Sequence, residues 1–308
     1  MAIPQKGPMT QKSHAMSLFE WALLLTLAFV WGGSFFFAAV AVVEIPPVTV
    51  VWVRVTGASV ILFLALRIMG QSMRWEREVW AAFFFMGLVN NAIPFSLIFW
   101  AQTELASGVA SILNAMTPVF TVIAAHFLTA DERITAPRLL GVVLGFVGVF
   151  VLIGTPVGGS FLAHLAVLGA AVSYAFASIF GKRFARLGVK PMVTATGQVS
   201  ASAILLLPVI LVLDQPWTLA MPSLATIWSM IGLVTVSTAF AYFLYFRILS
   251  TAGATNVALV TLLVPVFAIA LGILVLGESL NARQVLGLFI IVAGLIAIDG
   301  RAVRWVKR

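Results

Sequence analysis

The chain has no cysteine, which excludes disulfides, thiol nucleophiles and cysteine metal sites. Charge is scarce. Only 9% of the residues are Asp, Glu, Lys or Arg, ten of them acidic, and there are three histidines. The patterns GxxxxGK[ST] and HExxH are both missing, so neither a P-loop ATPase nor a zinc hydrolase of that type is expected. No cluster of His, Asp or Glu marks an interfacial active site, which disfavours an integral membrane enzyme acting on lipid. The sequence therefore predicts no enzyme, no cofactor and no metal.

What remains is apolar. Hydrophobic residues make up 62% of the chain and the mean hydropathy is +1.13. One soluble core cannot hide that much apolar surface, whereas a lipid solvent can accept it. Apolar runs predict transmembrane helices over 18–43, 46–68, 78–101, 105–128, 135–154, 161–182, 190–213, 222–248, 252–276 and 281–300. The loops between them are short and carry turn formers such as "EIPP" and "GTPVGGS". The polar stretch "MAIPQKGPMTQKSHAMS" precedes a run too long for a signal-peptide core, so the first run reads as a retained span.

The net charge of +8 belongs to membrane orientation rather than to nucleic acid. With the N-terminus in the cytoplasm, sixteen of the eighteen Lys and Arg fall on the cytoplasmic side. Only Arg283 falls outside, and Arg54 falls within a span. Such a bias is the positive-inside pattern. It predicts a multi-pass protein of the cell inner membrane with both termini cytoplasmic. Trp21, Trp75, Trp80, Trp100, Trp217 and Trp305 lie near span ends, as interfacial anchors do.

The chain also repeats itself. "GLVNNAIPFSLIFW" (87–100) lies over "GLVTVSTAFAYFLY" (232–245). "TPVFTVIAAHFLTADERITAPRLLGVVLGFVGVFVLIG" (117–154) lies over "VPVFAIALGILVLGESLNARQVLGLFIIVAGLIAIDG" (264–300). Pro118 then matches Pro265, Glu132 matches Glu278, and three glycine pairs coincide. Five spans per unit is an odd number, so the second unit enters from the opposite side. The expected fold is all-α: ten transmembrane helices as two inverted five-helix repeats, over 18–154 and 161–300. A flexible cytoplasmic tail over 1–17 and a basic one over 301–308 flank them. Inverted repeats with a site at their interface are typical of secondary transporters.

Ten spans, a proline in the fourth and ninth, then "ADERIT" or "GESLN", then "LLGVVLGFVGV" or "VLGLFIIVAGL", resemble the drug/metabolite transporter superfamily. The resemblance is narrower to its EamA-type exporters, and covers residues 18–300. It implies export of amino acids or other small metabolites through a central cavity by alternating access. It also marks Glu132 and Glu278 as characteristic; capping the next helix, or tying it to the fourth or ninth, is the expected role.

Candidate substrate contacts are polar or aromatic residues at mid-membrane depth: Trp31, Arg54, Asn90, Asn91, Asn114, Thr117, Ser173, Tyr174, Gln198, Thr238 and Tyr242. Ser107, Ser111, Asn114, Thr117 and Thr121 share one face of the fourth helix. The same groups also serve as interhelical glue. Pro118 and Pro265 are expected to kink their helices and to act as hinges. The glycines of helices five and ten suit close packing or a dimer seam, so a monomer and a homodimer both stay open.

Arg54 stands out, about 12 Å deep in a core about 30 Å thick. With no acid at that depth, its expected partners are carbonyls, the amides of Asn90, Asn91 or Asn114, water, or a ligand carboxylate. The function expected is secondary export of neutral or aromatic amino acids. Multidrug or cation efflux is the alternative, disfavoured because the first helix lacks a buried acid.

Overall fold

Ten apolar helices follow one another, with no strand among the described residues of this computed structural model, which are 16–129, 132–154 and 160–299. They are α1 (Leu18–Ala41), α2 (Pro47–Ile68), α3 (Arg77–Ala101), α4 (Ser107–Leu128), α5 (Ala136–Ile153), α6 (Phe161–Arg186), α7 (Pro191–Asp214), α8 (Leu224–Ala252), α9 (Val260–Leu276) and α10 (Ala282–Asp299). All but α9 have both the length and the apolar character to cross a membrane, and α9 is a shorter apolar helix. Both predicted tails lie outside the described residues, apart from Met16 and Ser17.

Local chemistry sets the helix ends. Ser17 and Glu20 form a capping box at the start of α1. Pro47, Pro137 and Pro191 stand in first turns, where a missing N–H leaves no intrahelical bond unmade. Gly277 ends α9 in the left-handed region at φ 68°, a conformation that suits glycine. Large apolar side chains such as Leu64, Phe150, Leu274 and Phe289 point outward, as a lipid-facing surface requires.

Packing treats the two halves alike in most of their pairings. α1 lies on α9 and α8, while α6 lies on α4 and α3. α2 packs on α7 and α8, and α7 in turn packs on α3. α4 meets α9, and α5 meets α10. Exchanging each helix for its counterpart five places on maps these pairings onto one another, whereas the packing of α4 on α1, α5 and α10 has no equally strong counterpart at α9.

The glycines of α5 and α10 face each other inside the chain. A Cβ on Gly141 would come within 2.5 Å of the Gly294 carbonyl, and one on Gly148 within 2.9 Å of the Gly287 carbonyl. Backbone approach this close requires glycine. The expected glycine surface is therefore an internal seam.

Besides α7, which holds Pro208 and ends in a π-helical stretch, Ile210–Asp214, three features depart from straight spans. Helix α4 is interrupted at Ala115 and Met116. Pro118 consequently sits in the first turn of the segment that restarts at Thr117, where it needs no bond, rather than kinking a continuous helix. Pro265 does lie inside α9. The break on that side falls earlier, at Ala258 and Leu259, after a short turn Ala254–Val257, so α9 begins later than predicted. Finally, α3 and α8 each contain a π-helical stretch, Leu88–Ala92 and Thr235–Phe240. These overlap when the repeats are laid over each other, although only α3 has a proline (Pro94) beyond its stretch.

Candidate functional site

The π stretches place the chemistry. A π turn widens the helix and frees carbonyls from their usual partners. Arg54 on α2 is 5% exposed, and its Nε donates to Thr238 Oγ1 at 2.8 Å. Thr238 lies in the π stretch of α8 and donates onward to the Leu233 carbonyl. The guanidinium lies over the Phe95 ring, 3.9 Å from its centroid, with Phe99 at 5.6 Å. This is cation–π geometry. Among the described residues no carboxylate pairs with Arg54; the ion pairs found are Arg74–Glu76, Lys182–Glu132 and Arg183–Glu78.

The repeat supplies a counterpart. Gln198 on α7 accepts from Asn90 Nδ2 at 3.1 Å and donates to the Tyr242 hydroxyl at 3.0 Å. Thus α2 of one half holds the π stretch of α8, and α7 of the other half holds that of α3. Tyr174 lies edge-on to Phe95, centroids 6.4 Å apart. Tyr174 and Tyr242 are both within electrostatic reach of Arg54. Tyr242 stacks on Phe246, which meets Tyr245, which meets Trp31 at 5.9 Å. Arg54, Thr238, Tyr174, Tyr242, Gln198 and Asn90 therefore gather into one neighbourhood, with Trp31 at the end of an aromatic chain.

Other candidates are engaged elsewhere. Asn91 is fully buried and donates to Ser202 Oγ. Ser173 donates to the Val89 carbonyl, within the π stretch of α3. On α4, Ser111, Thr117 and Thr121 bond back to Gly108, Asn114 and Thr117 carbonyls. Asn114 alone on that face keeps a buried oxygen, Oδ1, with no hydrogen-bond partner; elsewhere among the described residues Thr56 Oγ1, Gln71 Oε1, Asn91 Oδ1, Ser96 Oγ and Gln102 Oε1 are in the same position. Phe95 and Phe99 escaped the sequence reading. Their only signal was the i, i+4 spacing that core aromatics share.

Three carboxylates tie the halves together at one end of the bundle. Asp214 accepts from the Thr49 amide at 2.9 Å and hydroxyl at 2.7 Å. Glu44 accepts from the Ser223 amide and hydroxyl, each at 2.6 Å. Glu278 accepts from Ser107 at the start of α4. Ser223's hydroxyl, then its amide, hold the Glu44 carboxyl below the usual carboxylate range. Among the described residues no three His, Asp or Glu side chains gather as a metal site.

Comparison with known proteins agrees with this architecture. A solved crystal structure superimposes with a TM-score of 0.65 at 20% identity, over 91% of this chain and 96% of the other, a likeness of fold alone. An Escherichia coli (strain K12) protein named "Probable amino-acid metabolite efflux pump" is 29% identical over 95% of this chain and 98% of its own. Another from that strain, named "Uncharacterized inner membrane transporter YedA", is 26% identical over 89% of each. The EamA-like transporter family matches twice, over residues 18–154 and again over 161–298. The chain is a multi-pass membrane protein that belongs to the EamA-like transporter family.

Proposed function

We propose that this transporter exports small carboxylate-bearing metabolites, neutral or aromatic amino acids first among them, by alternating access across the cell inner membrane. The observation that carries this reading is Arg54. Its charge is buried, no carboxylate neutralises it among the described residues, and one nitrogen is hydrogen-bonded while its face rests on Phe95. An arginine in an apolar span needs a partner, and a substrate carboxylate completes the set. Tyr174, Tyr242 and Trp31 offer surface to an apolar side chain. Gln198 and Asn90 offer polar contacts, and the open Asn114 Oδ1 accepts from an ammonium group.

Export, rather than uptake, takes support from the name of the Escherichia coli relative. The inner-membrane assignment takes support from the second relative's name, and cytoplasmic termini from the charge bias. Pro118 and Pro265 serve as hinges beside the breaks in α4 and the start of α9. Thr117, Asn91 and Ser173 act by holding this neighbourhood in shape. Because the α5–α10 glycines are consumed within the chain, a monomer suffices. A cationic drug is the poorer substrate, since Arg54 repels it.

The test uses proteoliposomes loaded with labelled amino acids. The parent protein is expected to release them and Arg54→Gln to lose that release, while decarboxylated or amidated analogues are spared. Unchanged amino-acid release by a folded Arg54→Gln protein eliminates the carboxylate role.

A further inference from the structure

Glu132 and Glu278 occupy matching places in the two repeats, yet they hold different partners. Glu278, between α9 and α10, reaches into the other half. Its Oε1 accepts from the Ser107 amide at 2.8 Å. Its Oε2 accepts from the Ser107 hydroxyl at 2.8 Å and from the Gly108 amide at 3.3 Å. A carboxylate on the first amides of a helix meets both unpaired donors and the positive end of the helix dipole. Gly272 makes room for it, because a Cβ there would collide with Glu278 Oε2 and lie 2.8 Å from Ser107 Oγ.

Glu132, between α4 and α5, sits at the opposite end of the bundle. The repeat places residues 254 and 255, just before α9, where Ser107 and Gly108 open α4. Glu132 nevertheless accepts from Lys182 Nζ at 2.6 Å, in a solvent-exposed pair. The Glu278 end also carries the Asp214–Thr49 and Glu44–Ser223 ties. The Glu132 end is joined by exposed ion pairs. Matching sequence in two different arrangements is what an inverted repeat shows when one end is shut.

We propose that Glu278 and Glu132 form a reciprocal latch. With Glu278 on Ser107 and Gly108, the outer end is shut. When that contact opens, Glu132 leaves Lys182 for the amides at 254 and 255, and the inner end shuts. This rests on the alternating-access reading but not on which metabolite is carried.

The naturally cysteine-free chain allows a direct test in membrane vesicles by oxidative cross-linking. The pair Glu132→Cys with Ala254→Cys reports the inner latch. The pair Ser107→Cys with Glu278→Cys reports the outer one. Adding Gly272→Leu, which crowds Glu278 off α4, is expected to speed the inner cross-link about tenfold, as a population shift between two states does. Adding Lys182→Met, which frees Glu132, does not bear on a pair that lacks Glu132. It is therefore combined with the outer pair, whose cross-linking is expected to slow several-fold. Lys182 is exposed, so this arm stands even where Gly272→Leu fails to fold. An inner cross-link indifferent to Gly272→Leu in folded protein, or an outer one indifferent to Lys182→Met, overturns the latch. No substrate is added, so absence of amino-acid release would sink the transport reading without altering these rates.

Discussion

Arg54 keeps its charge inside the apolar zone by leaning on a ring. A desolvated cation over an aromatic face gains about 2 kcal/mol, comparable with the roughly 2.5–3.5 kcal/mol that a central arginine costs on insertion scales. Phe95→Leu keeps apolar volume and removes the ring. It is expected to lower the thermal midpoint in detergent and to weaken amino-acid transport together. Thr238→Val should cost about 1–3 kcal/mol, since it leaves the buried Nε without its acceptor; a stability scan by fluorescence checks this. The oddity of Arg54 was legible in the sequence, but its partners were not. Thr238 lies 184 positions away, beyond the reach of any local pattern. The amides expected to hold Arg54 were already engaged, Asn90 with Gln198 and Asn91 with Ser202. Asn114 has an oxygen to accept with and no partner for it.

At the scale of the helix, apolar length and turn residues gave most ends to within two or three residues, because lipid sets the length of a span. The π stretches in α3 and α8 left no such mark. They depend on how each helix fits its neighbours, and the two share neither a proline nor an asparagine pair. The start of α9 was missed for a related reason: "TAGATNVALV" is apolar enough to continue a helix, yet the chain breaks at Ala258 and Leu259. The seam between α5 and α10 was easier to see, since glycine at 141, 145 and 148 repeats along one face. Gly148→Ala pushes a methyl against Ile291 and the Gly287 carbonyl. Overpacking of this kind costs about 1–3 kcal/mol, so a lowered melting temperature is expected. Gly169→Ala is the control, because its new Cβ would meet only Leu97 at an ordinary 3.5 Å; equal losses for the two would remove the seam from the explanation.

For the molecule as a whole, a tie between the halves makes stability depend on acid. Glu44 is held below the usual carboxylate range by Ser223, so folding favours its ionised form. That contribution is complete above the unfolded carboxylate range, near pH 4, and disappears as pH falls through the lower folded value. Thermal midpoints are expected to hold at neutral pH and to fall in acid, with Glu44→Gln showing a smaller acid loss than the parent. At the opposite end of the bundle the pairs Lys182–Glu132 and Arg183–Glu78 are exposed, and such pairs contribute about 0–1 kcal/mol each. Added salt should therefore loosen that end with little effect on stability. The orientation expected from the sequence rests on sixteen cations assigned to one side, a count that needs no fold. A reporter fused after Arg308 is expected to stay cytoplasmic, and activity of a periplasm-dependent reporter there would reverse the assignment.

The break in α4 falls at Ala115 and Met116, whereas the break before α9 falls where Ser111 and Ile112 stand in the repeat, one turn earlier. Two matching rods with a fault at different heights resemble a crystal with a dislocation. A dislocation glides, because moving it by one lattice step rearranges few bonds at a time. If the halves exchange shapes during transport, each fault has only one helical turn to travel, about 5.4 Å. The barrier is then the cost of shifting a defect by one turn, and no helix has to melt.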